Sequence, residues 1–396
     1  MEHICENLRE RVLECMDFGR ELPDDELREL IVREMAQSEA LVDLSIKERL
    51  YVEQRVFNSL RKLDILEELL EDEQVTEIMV NGPKEIYFEK NGEFQKYPHV
   101  FASEEKLQDV IQQIVGRHNR VVNLSSPIVD TRLTDGSRVN IVLFPIAIDG
   151  SAISIRKFSK KALDMETLVH MGALSEEVAD FLRELVVCRY NLFISGGTSS
   201  GKTTFLNALS AYIPQEERII TIEDSAELQL QGSKNLVRLE TRSRNTEGVK
   251  PITARELIYT ALRMRPDRII VGECRGEEAL DMLQAMNTGH DGSLSTGHAN
   301  STQDMLNRLE TMVLMGMDLP LAAVRQQIAS GIDVLIHLER GRDKKRRVVE
   351  ISEVLGVKDG VICLHKLYGY ENGLVKRGEL QRREKLSSRE GRQGEL

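Results

Sequence analysis

The sequence contains no tryptophan, and only 5% of its 396 residues are aromatic. So few aromatic side chains leave little surface on which nucleic-acid bases could stack. No apolar run approaches the ~18 residues needed to cross a bilayer. The N-terminus also lacks the basic stretch and apolar core of a secretory signal. We therefore expect a cytoplasmic protein that associates with the cytoplasmic membrane only peripherally, through partners.

Cysteine is sparse as well. The five cysteines are scattered, odd in number and never spaced as C-x-x-C, so neither a disulfide framework nor a zinc site is predicted.

Acidic residues, in contrast, are concentrated in one part of the chain. Residues 1–80 contain 22 Asp and Glu residues against 10 Lys and Arg residues, which accounts for the whole net charge of −12. An acidic N-terminal segment argues against a nucleic-acid or anionic-lipid surface there.

The stretch Gly196–Thr203 matches the phosphate-binding pattern G-x-x-x-x-G-K-[ST] at every defined position. An apolar run, Asn191–Ser195, predicts a buried strand before it, and Thr203–Ala211 predicts a helix after it. Backbone N–H groups at such a helix start bind anions. We expect Lys202 to reach the β- and γ-phosphates of ATP and the Thr203 hydroxyl to ligate Mg²⁺. The predicted nucleotide-binding residues are Gly196, Gly197, Thr198, Ser199, Ser200, Gly201, Lys202, Thr203 and Thr204.

Periodicity around this loop predicts an α/β fold. Strands alternate with helices over 175–375, which predicts a mostly parallel sheet around the phosphate-binding loop. We expect this part of the chain to be a RecA-like P-loop ATPase domain. We expect it to follow an N-terminal helical bundle over 1–63, an α+β domain over 64–160 and a linker over 161–174. Residues 376–396 form a charged tail, which we expect to be frayed. The bundle is equally compatible with docking a partner and with packing against the next domain.

Carboxylates follow two predicted strands of the second domain. Glu223 and Asp224 end one strand, and Glu273 ends the apolar run Arg268–Gly272. Ligands lie at the carboxyl ends of parallel strands, so these acids and Thr203 are the expected metal ligands. Glu273 is our first choice for the group that activates water, and Glu223 is the second.

His290 and His298 flank a Gly/Ser-rich turn and strand. They could form a zinc pair, but no third ligand is apparent, and hydrogen bonding to the γ-phosphate fits better. Phosphoryl transfer also needs positive charge beyond the loop lysine. The basic residues weighed for that purpose are Arg132, Arg138, Arg156 and Arg242.

Together these motifs resemble the secretion ATPase superfamily of type II and type IV secretion and type IV pilus assembly. The chain is most similar to its CpaF-like branch, from tight-adherence (Tad) pili. The motifs that carry the resemblance are I-M-V-N-G-P (78–83), D-T-R-L-T-D-G-S-R-V-N (130–140), I-S-I-R-K-F (153–158), T-I-E-D (221–224), V-R-L-E-T-R (237–242), A-L-R-M-R-P-D-R-I-I-V-G-E-C-R (261–275) and N-T-G-H-D-G-S-L-S-T-G-H-A-N-S (287–301).

The resemblance implies site roles. Glu223 and Asp224 match the Asp box, Glu273 the Walker B glutamate, and His290 with His298 the His box. The four arginines match basic positions near the nucleotide, some reaching it only when the N-terminal domain or a neighbouring subunit closes. Gly297 departs from the family, which usually has an apolar residue there, so we expect that strand to be looser.

The resemblance also implies a function. We expect a homohexameric, Mg²⁺-dependent ATPase motor that drives a polytopic inner-membrane platform protein, and thereby moves pilins or secreted substrate. Two alternatives stay open. A RecA-like sheet also builds nucleic-acid motors, although the composition argues against nucleic acid as a partner. A nucleotide-switched scaffold without useful turnover is the other.

Overall fold

The computed structural model describes residues 1–17, 19–20, 22–117, 121–158, 163–230, 232–242, 250–371 and 373–387. The chain divides into two compact units, Met1–Ser159 and Lys160–Leu396. The finer domain boundaries given above stay predictions. Within the described residues, every helix is too short or too polar to traverse a bilayer.

The first unit begins with three helices around a small apolar core. They are α1 (Glu2–Cys15), α2 (Asp24–Ala36) and α3 (Ile46–Arg61). Leu8, Leu27, Ile31 and Val56 meet in this core, because apolar residues recur at helical spacing. Helix α3 begins at a capping box that Ser45 forms with Glu48.

A six-stranded antiparallel sheet completes the first unit. Its spatial order is β3-β2-β1-β6-β5-β4. The strands are β1 (Val75–Asn81), β2 (Ile86–Lys90), β3 (Glu93–Lys96), β4 (Ile128–Arg132), β5 (Arg138–Val142) and β6 (Ala152–Arg156). Helices α4 (Leu66–Glu71) and α5 (Glu104–Gly116) supply residues to its apolar core. A tight turn joins β2 to β3 at Asn91 and Gly92, whose φ values of 54° and 79° are ones that asparagine and glycine tolerate.

The second unit contains a nine-stranded sheet in the order β15-β14-β13-β12-β7-β11-β10-β8-β9. The strands are β7 (Leu192–Gly196), β8 (Arg218–Glu223), β9 (Asn235–Glu240), β10 (Arg268–Val271), β11 (Leu294–His298), β12 (Val334–Arg340), β13 (Arg346–Lys358), β14 (Val361–Tyr370) and β15 (Leu374–Lys376). From β9 to β12 every neighbouring pair is parallel, whereas β12 to β15 pair antiparallel. The prediction of a mostly parallel sheet is confirmed.

Helices cover both faces of this sheet. They are α6 (Met165–His170), α7 (Glu176–Val187), α8 (Lys202–Ser210), α9 (Ala254–Leu262), α10 (Glu278–Asn287), α11 (Thr302–Gly316) and α12 (Leu321–Gly331). Two apolar cores result, one containing Ile194 and Leu206, the other Phe193 and Leu309. Because both faces of the sheet are covered, β7 and β10 are buried at every residue, and most of their residues are apolar.

The expectation of a frayed tail from residue 376 is wrong for its first part. Leu380 joins a core, and the backbone N–H groups of Gln381 and Arg382 donate to the two oxygens of Glu353 at 2.9 and 2.7 Å. Glu353 is 1% exposed, so its charge must be satisfied inside the protein. Residues 388–396 lie outside the described part of the chain.

Candidate active site

The phosphate loop connects the end of β7 to the first turn of α8. Ser199 and Gly201 adopt positive φ values of 58° and 94°. A Cβ atom added at Gly196 would lie 2.5 Å from the backbone oxygen of Leu338 and 2.5 Å from Ser200 Oγ. The two defined glycines of the motif are therefore required, one by close packing and one by conformation.

Lys202 points back along the loop that precedes it. Its Nζ donates to the carbonyl oxygens of Gly196 at 3.1 Å and Gly197 at 3.0 Å, and lies 3.3 Å from His298 Nδ1. The side chain is buried. The ammonium thus sits inside the curve of the loop, where an anion would gain the most from it.

His298 links this lysine to Glu273. Strand β11 carries His298 beside Gly196, and Glu273 follows strand β10 by two residues. His298 Nε2 lies 2.9 Å from Glu273 Oε1. Burial and the positive charge of Lys202 lower the pKa of His298, against the opposing effect of Glu273. A neutral imidazole allows Nδ1 to accept from Lys202, whereas Glu273 Oε1 is buried beside Nε2 without a hydrogen-bond partner.

Arg275 holds the other oxygen of Glu273. Its Nη2 lies 2.7 Å from Glu273 Oε2, and its Nη1 lies 3.4 Å from Asp224 Oδ2. Burial alone would raise the pKa of Glu273, but the hydrogen bond and charge of Arg275, with His298 and Lys202, lower it overall. Lys202, His298, Glu273, Arg275 and Asp224 therefore form one continuous chain of charged and polar groups.

Glu223 is placed differently from Glu273. It is 5% exposed, and its Oε1 accepts hydrogen bonds from the backbone N–H groups of Glu227 and Leu228, both at 2.8 Å. Its Oε2 is buried without a hydrogen-bond partner. Burial raises the pKa of this carboxyl. One oxygen thus holds the loop after β8, and only the other is available to a metal or a water.

This site geometry coincides with a clear family relationship. A family profile described as "Type II/IV secretion system protein" matches residues 59–372. The chain belongs to this family. It is 35% identical over 316 residues to a putative conjugal transfer protein of Mycobacterium tuberculosis, covering 78% of this chain and 89% of that protein.

A second sequence relative supports this family membership, and a solved structure shows the same fold. The type IV secretion system protein PtlH of Bordetella pertussis is 33% identical over 315 residues, covering 73% of this chain and 93% of PtlH. The ATPase DotB of Yersinia pseudotuberculosis has the same fold, with a TM-score of 0.54 and 20% identity over 75% of this chain and 79% of DotB.

In this secretion-family chain, His290 lies away from the phosphate loop, contrary to our expectation. It precedes β11, so it sits at the amino edge of the parallel strands, whereas His298 ends β11 beside Gly196. Its Nδ1 lies 3.3 Å from the carbonyl oxygen of Ala285. The length of β11 separates the two edges by about 17 Å. Within the chain, His290 is not part of the charged site around Lys202.

Gly297 also corrects an expectation, because β11 is not loose at this residue. It pairs in register with Ser195 of β7. A Cβ atom there would lie 2.9 Å from Met305 Sδ and 3.0 Å from Phe193 Cε1. These neighbouring side chains fill the space that the family's usual apolar residue would occupy.

Three of the predicted arginines lie in the first unit and form a row. Arg132 opposes Arg138 across β4 and β5, and Arg138 opposes Arg156 across β5 and β6. Glu77 of β1 continues the row, with Oε1 4.0 Å from Arg156 Nε. Directly opposed like charges are unfavourable unless acidic groups or anions balance them. The row is a concentration of positive charge suited to an anion, and its role in hydrolysis stays a prediction.

Arg242 lies in the second unit, just beyond β9 at the carboxyl edge of the sheet. Its backbone pairs with Ile252, and its Nη2 donates to the carbonyl oxygen of Lys250 at 3.1 Å. The preceding Thr241 donates from Oγ1 to Asp224 Oδ1 at 3.2 Å. Arg242 is therefore near the acidic end of the charged chain, while the segment 243–249 lies outside the described residues.

Sequence reasoning missed two arginines at the site. Arg275 lies two residues after Glu273 and ends the motif of residues 261–275, so the sequence could have predicted that it lies near the site. Arg346 begins β13, and its Nε donates to the Ser199 carbonyl oxygen at 3.0 Å while its Cδ lies 3.1 Å from where a Gly201 Cβ would be. Nothing local in the sequence connects Arg346 to the loop, because the sheet order brings them together.

The oxygen donors here fit Mg²⁺ rather than a soft metal. Within the described ranges, no group of three or more His, Cys, Asp or Glu residues could hold a metal by itself. Mg²⁺ is commonly held by one or two protein oxygens plus phosphates and water. Thr203 Oγ1 and the partnerless Glu223 Oε2 are hard oxygen donors of that kind.

Proposed function

We propose that this chain is a Mg²⁺-dependent ATPase that works as a homohexameric motor for assembly of a Tad-like type IV pilus or for protein secretion. The observation that supports it most directly is the meeting of Lys202, His298 and Glu273 at the phosphate loop. Family membership supports a secretion or pilus role, and the motif resemblance favours the tight-adherence branch. The partners would be an inner-membrane platform protein and, through it, pilins or secreted substrate.

Hydrolysis would use in-line attack of water on the γ-phosphate. The Lys202 ammonium would exchange the carbonyl oxygens of Gly196 and Gly197 for phosphate oxygens, which neutralises charge that develops in the transition state. Glu273 would orient the water and take its proton. Thr203 and the acidic strand ends would hold Mg²⁺, which supplies Lewis-acid charge at the phosphates.

The test is phosphate release with and without Mg²⁺, for wild type and Lys202→Ala. We expect turnover that requires Mg²⁺ and falls by at least about 100-fold in Lys202→Ala, because the main cation at the phosphates is lost. Lys358→Ala, at an exposed residue of β13, is the matched control and should behave as wild type. Normal hydrolysis by Lys202→Ala would contradict the site assignment.

The same assay separates the alternatives. Stimulation of hydrolysis by single-stranded DNA would support a nucleic-acid motor, and tight ATP binding without steady-state turnover would support a switched scaffold. Light scattering of the ATP-bound protein should give the mass of six chains. Deletion of the gene in its source organism should remove either surface pili or secreted proteins, which distinguishes the two cargo classes.

A further inference from the structure

Neither oxygen of the Walker B-type carboxylate Glu273 is open to water in this structure, because Oε1 is buried without a hydrogen-bond partner and Oε2 is paired with Arg275. Oε1 lies 2.9 Å from His298 Nε2, and Oε2 lies 2.7 Å from Arg275 Nη2. A carboxylate that receives a proton from water must present an oxygen within hydrogen-bond reach of that water. A guanidinium pair is charge-assisted and directional, so it competes with water for the same oxygen.

The side chain of Arg275 can move away from Glu273 while its backbone stays in place. Its backbone N–H donates to Glu278 Oε1 at 2.6 Å, and the N–H of Gly276 donates to the same oxygen at 2.9 Å. These bonds fix the start of α10. The Arg275 side chain, in contrast, is 58% exposed, and a second acceptor, Asp224 Oδ2, lies 3.4 Å from its Nη1. Rotation of the side chain alone would transfer the guanidinium from Glu273 to Asp224.

We propose that Arg275 is a latch on Glu273, a positioning residue that holds the carboxylate away from the attacking water and opens toward Asp224 in each turnover. The proposal rests on the ATPase function proposed above. Opening costs the interaction energy of one partly exposed ion pair, so the latch slows hydrolysis. His298 stays on Oε1 throughout and keeps the carboxylate in place when the guanidinium leaves.

An arginine in this position could have two other roles. Each predicts a different change in kcat or KM from the change that a latch predicts. If Arg275 bound phosphate in the ground state, its removal would raise KM. If it stabilised transition-state charge, its removal would lower kcat with KM unchanged. A latch alone predicts that removal raises kcat while KM stays within about two-fold of wild type.

The decisive experiment measures kcat and KM for ATP in wild type, Arg275→Gln and Arg275→Lys. We expect kcat of Arg275→Gln to rise roughly two- to five-fold, the range for loss of a partly exposed ion pair. Arg275→Lys should stay near wild type, because an ammonium still pairs with Glu273. A kcat that is unchanged or lower in Arg275→Gln would overturn the latch.

Affinity for a non-hydrolysable Mg²⁺-ATP analogue gives a readout apart from turnover. Arg275→Gln should bind it at least as tightly as wild type, whereas loss of a phosphate-binding arginine would weaken binding and overturn the proposal. Arg183→Gln is the matched control, since Arg183 is 57% exposed and pairs with Asp180 at 3.3 Å. It should leave kcat, KM and affinity unchanged.

Parallel assays of wild type and Lys202→Ala distinguish failure of the proposed ATPase function from failure of the latch alone. Absence of turnover in wild type would overturn the proposed function and the latch with it. Turnover in wild type, lost in Lys202→Ala but unaltered in Arg275→Gln, would overturn the latch alone.

Discussion

At the scale of single residues, Glu273 and Glu223 are chemically alike and structurally opposite. Glu273 shares its oxygens with a histidine and an arginine at the phosphate loop, whereas Glu223 gives one oxygen to two backbone amides. A carboxylate that is bound to backbone holds a loop, and one that is bound to mobile side chains can change partner. This contrast favours Glu273 as the group that activates water.

Glu273→Gln should therefore bind ATP within about three-fold of wild type but lower kcat by about 10² to 10⁴, the contribution of a general base. Nucleotide titration measures the ATP affinity, and phosphate release measures kcat. Glu223→Gln is the comparison, because an amide oxygen can still accept from Glu227 and Leu228. If Glu273→Gln turned over normally while Glu223→Gln did not, Glu223 would be the base.

His337 offers a residue-scale prediction on pH. It is 3% exposed, opposes Ser195 across β12 and β7, and has Nδ1 2.8 Å from Ser195 Oγ. Burial lowers the pKa of His337, although Glu339 and Glu350 oppose that effect. The unfolded chain therefore binds this proton first, and stability falls as pH drops below the ordinary value of 6.5.

The measurement is the free energy of unfolding against pH, by urea titration. Because the chain lacks tryptophan, circular dichroism is the suitable signal. The loss of stability between about pH 7.5 and pH 5.5 should be smaller in His337→Asn than in wild type. An equal loss in both proteins would show that other groups, such as His298, govern this pH range.

At the scale of elements, the segment after β15 acts as a clamp on the amino edge of the sheet. Lys385 Nζ lies 2.7 Å from Asp333 Oδ2 and 2.7 Å from Asp291 Oδ1, and donates to the Arg189 carbonyl oxygen. Asp333 Oδ2 also accepts from the backbone N–H of Asn191, the residue that enters β7. The clamp thus fixes the start of the strand whose other end is the phosphate loop.

Lys385→Met should lower the free energy of unfolding by about 1–3 kcal/mol, because Asp333 is only 7% exposed and would lose the nearer of its two cations, leaving Arg382 Nη1 at 3.9 Å. Lys376→Met, at the last residue of β15, is the matched control. Its partner Glu379 is 68% exposed, so we expect a change below about 0.5 kcal/mol. Urea titration followed by circular dichroism measures both, and equal effects would contradict the clamp.

The elements themselves were largely predictable, since strand runs, capping residues and the Asn91–Gly92 turn are local signals. Placement of residues was less so. His290 was misplaced although a signal existed: a residue that precedes a parallel strand lies at the amino edge. The segment that contains the clamp was predicted to be a frayed tail because its many charged residues suggested exposure to solvent. However, Asp333 and Glu353 lie within apolar strand patterns, and buried acids require hydrogen-bond or charge partners. The contact of Arg346 with the loop depends on sheet order, which local sequence does not encode.

At the scale of the whole molecule, three of the arginines predicted to act in hydrolysis and the nucleotide-binding loop belong to different compact units. Arg132, Arg138 and Arg156 form a row in the first unit, and the loop is in the second. A cation that acts only in the transition state affects kcat rather than binding. If the row acts in hydrolysis, as the family resemblance implies, its loss should lower kcat and leave nucleotide binding intact.

Arg156→Gln should therefore lower kcat by at least about ten-fold while nucleotide affinity is retained. Arg33→Gln is the control in the same unit, because Arg33 is 63% exposed and Arg156 is 59% exposed. Phosphate release measures kcat, and nucleotide titration measures the affinity. Wild-type kcat in Arg156→Gln would place the row outside the catalytic cycle.

The position of β7 between β11 and β12, with Asn191 tied to Asp333 and through it to Lys385, has a consequence for biogenesis. The loop-bearing strand is translated near the middle of the chain, yet its neighbours and its anchor emerge from the ribosome some 100 to 190 residues later. Pairings so distant in sequence form late. A nascent chain arrested before residue 334 should fail to retain ATP, so nucleotide binding should begin only after the second half of the chain has been synthesised.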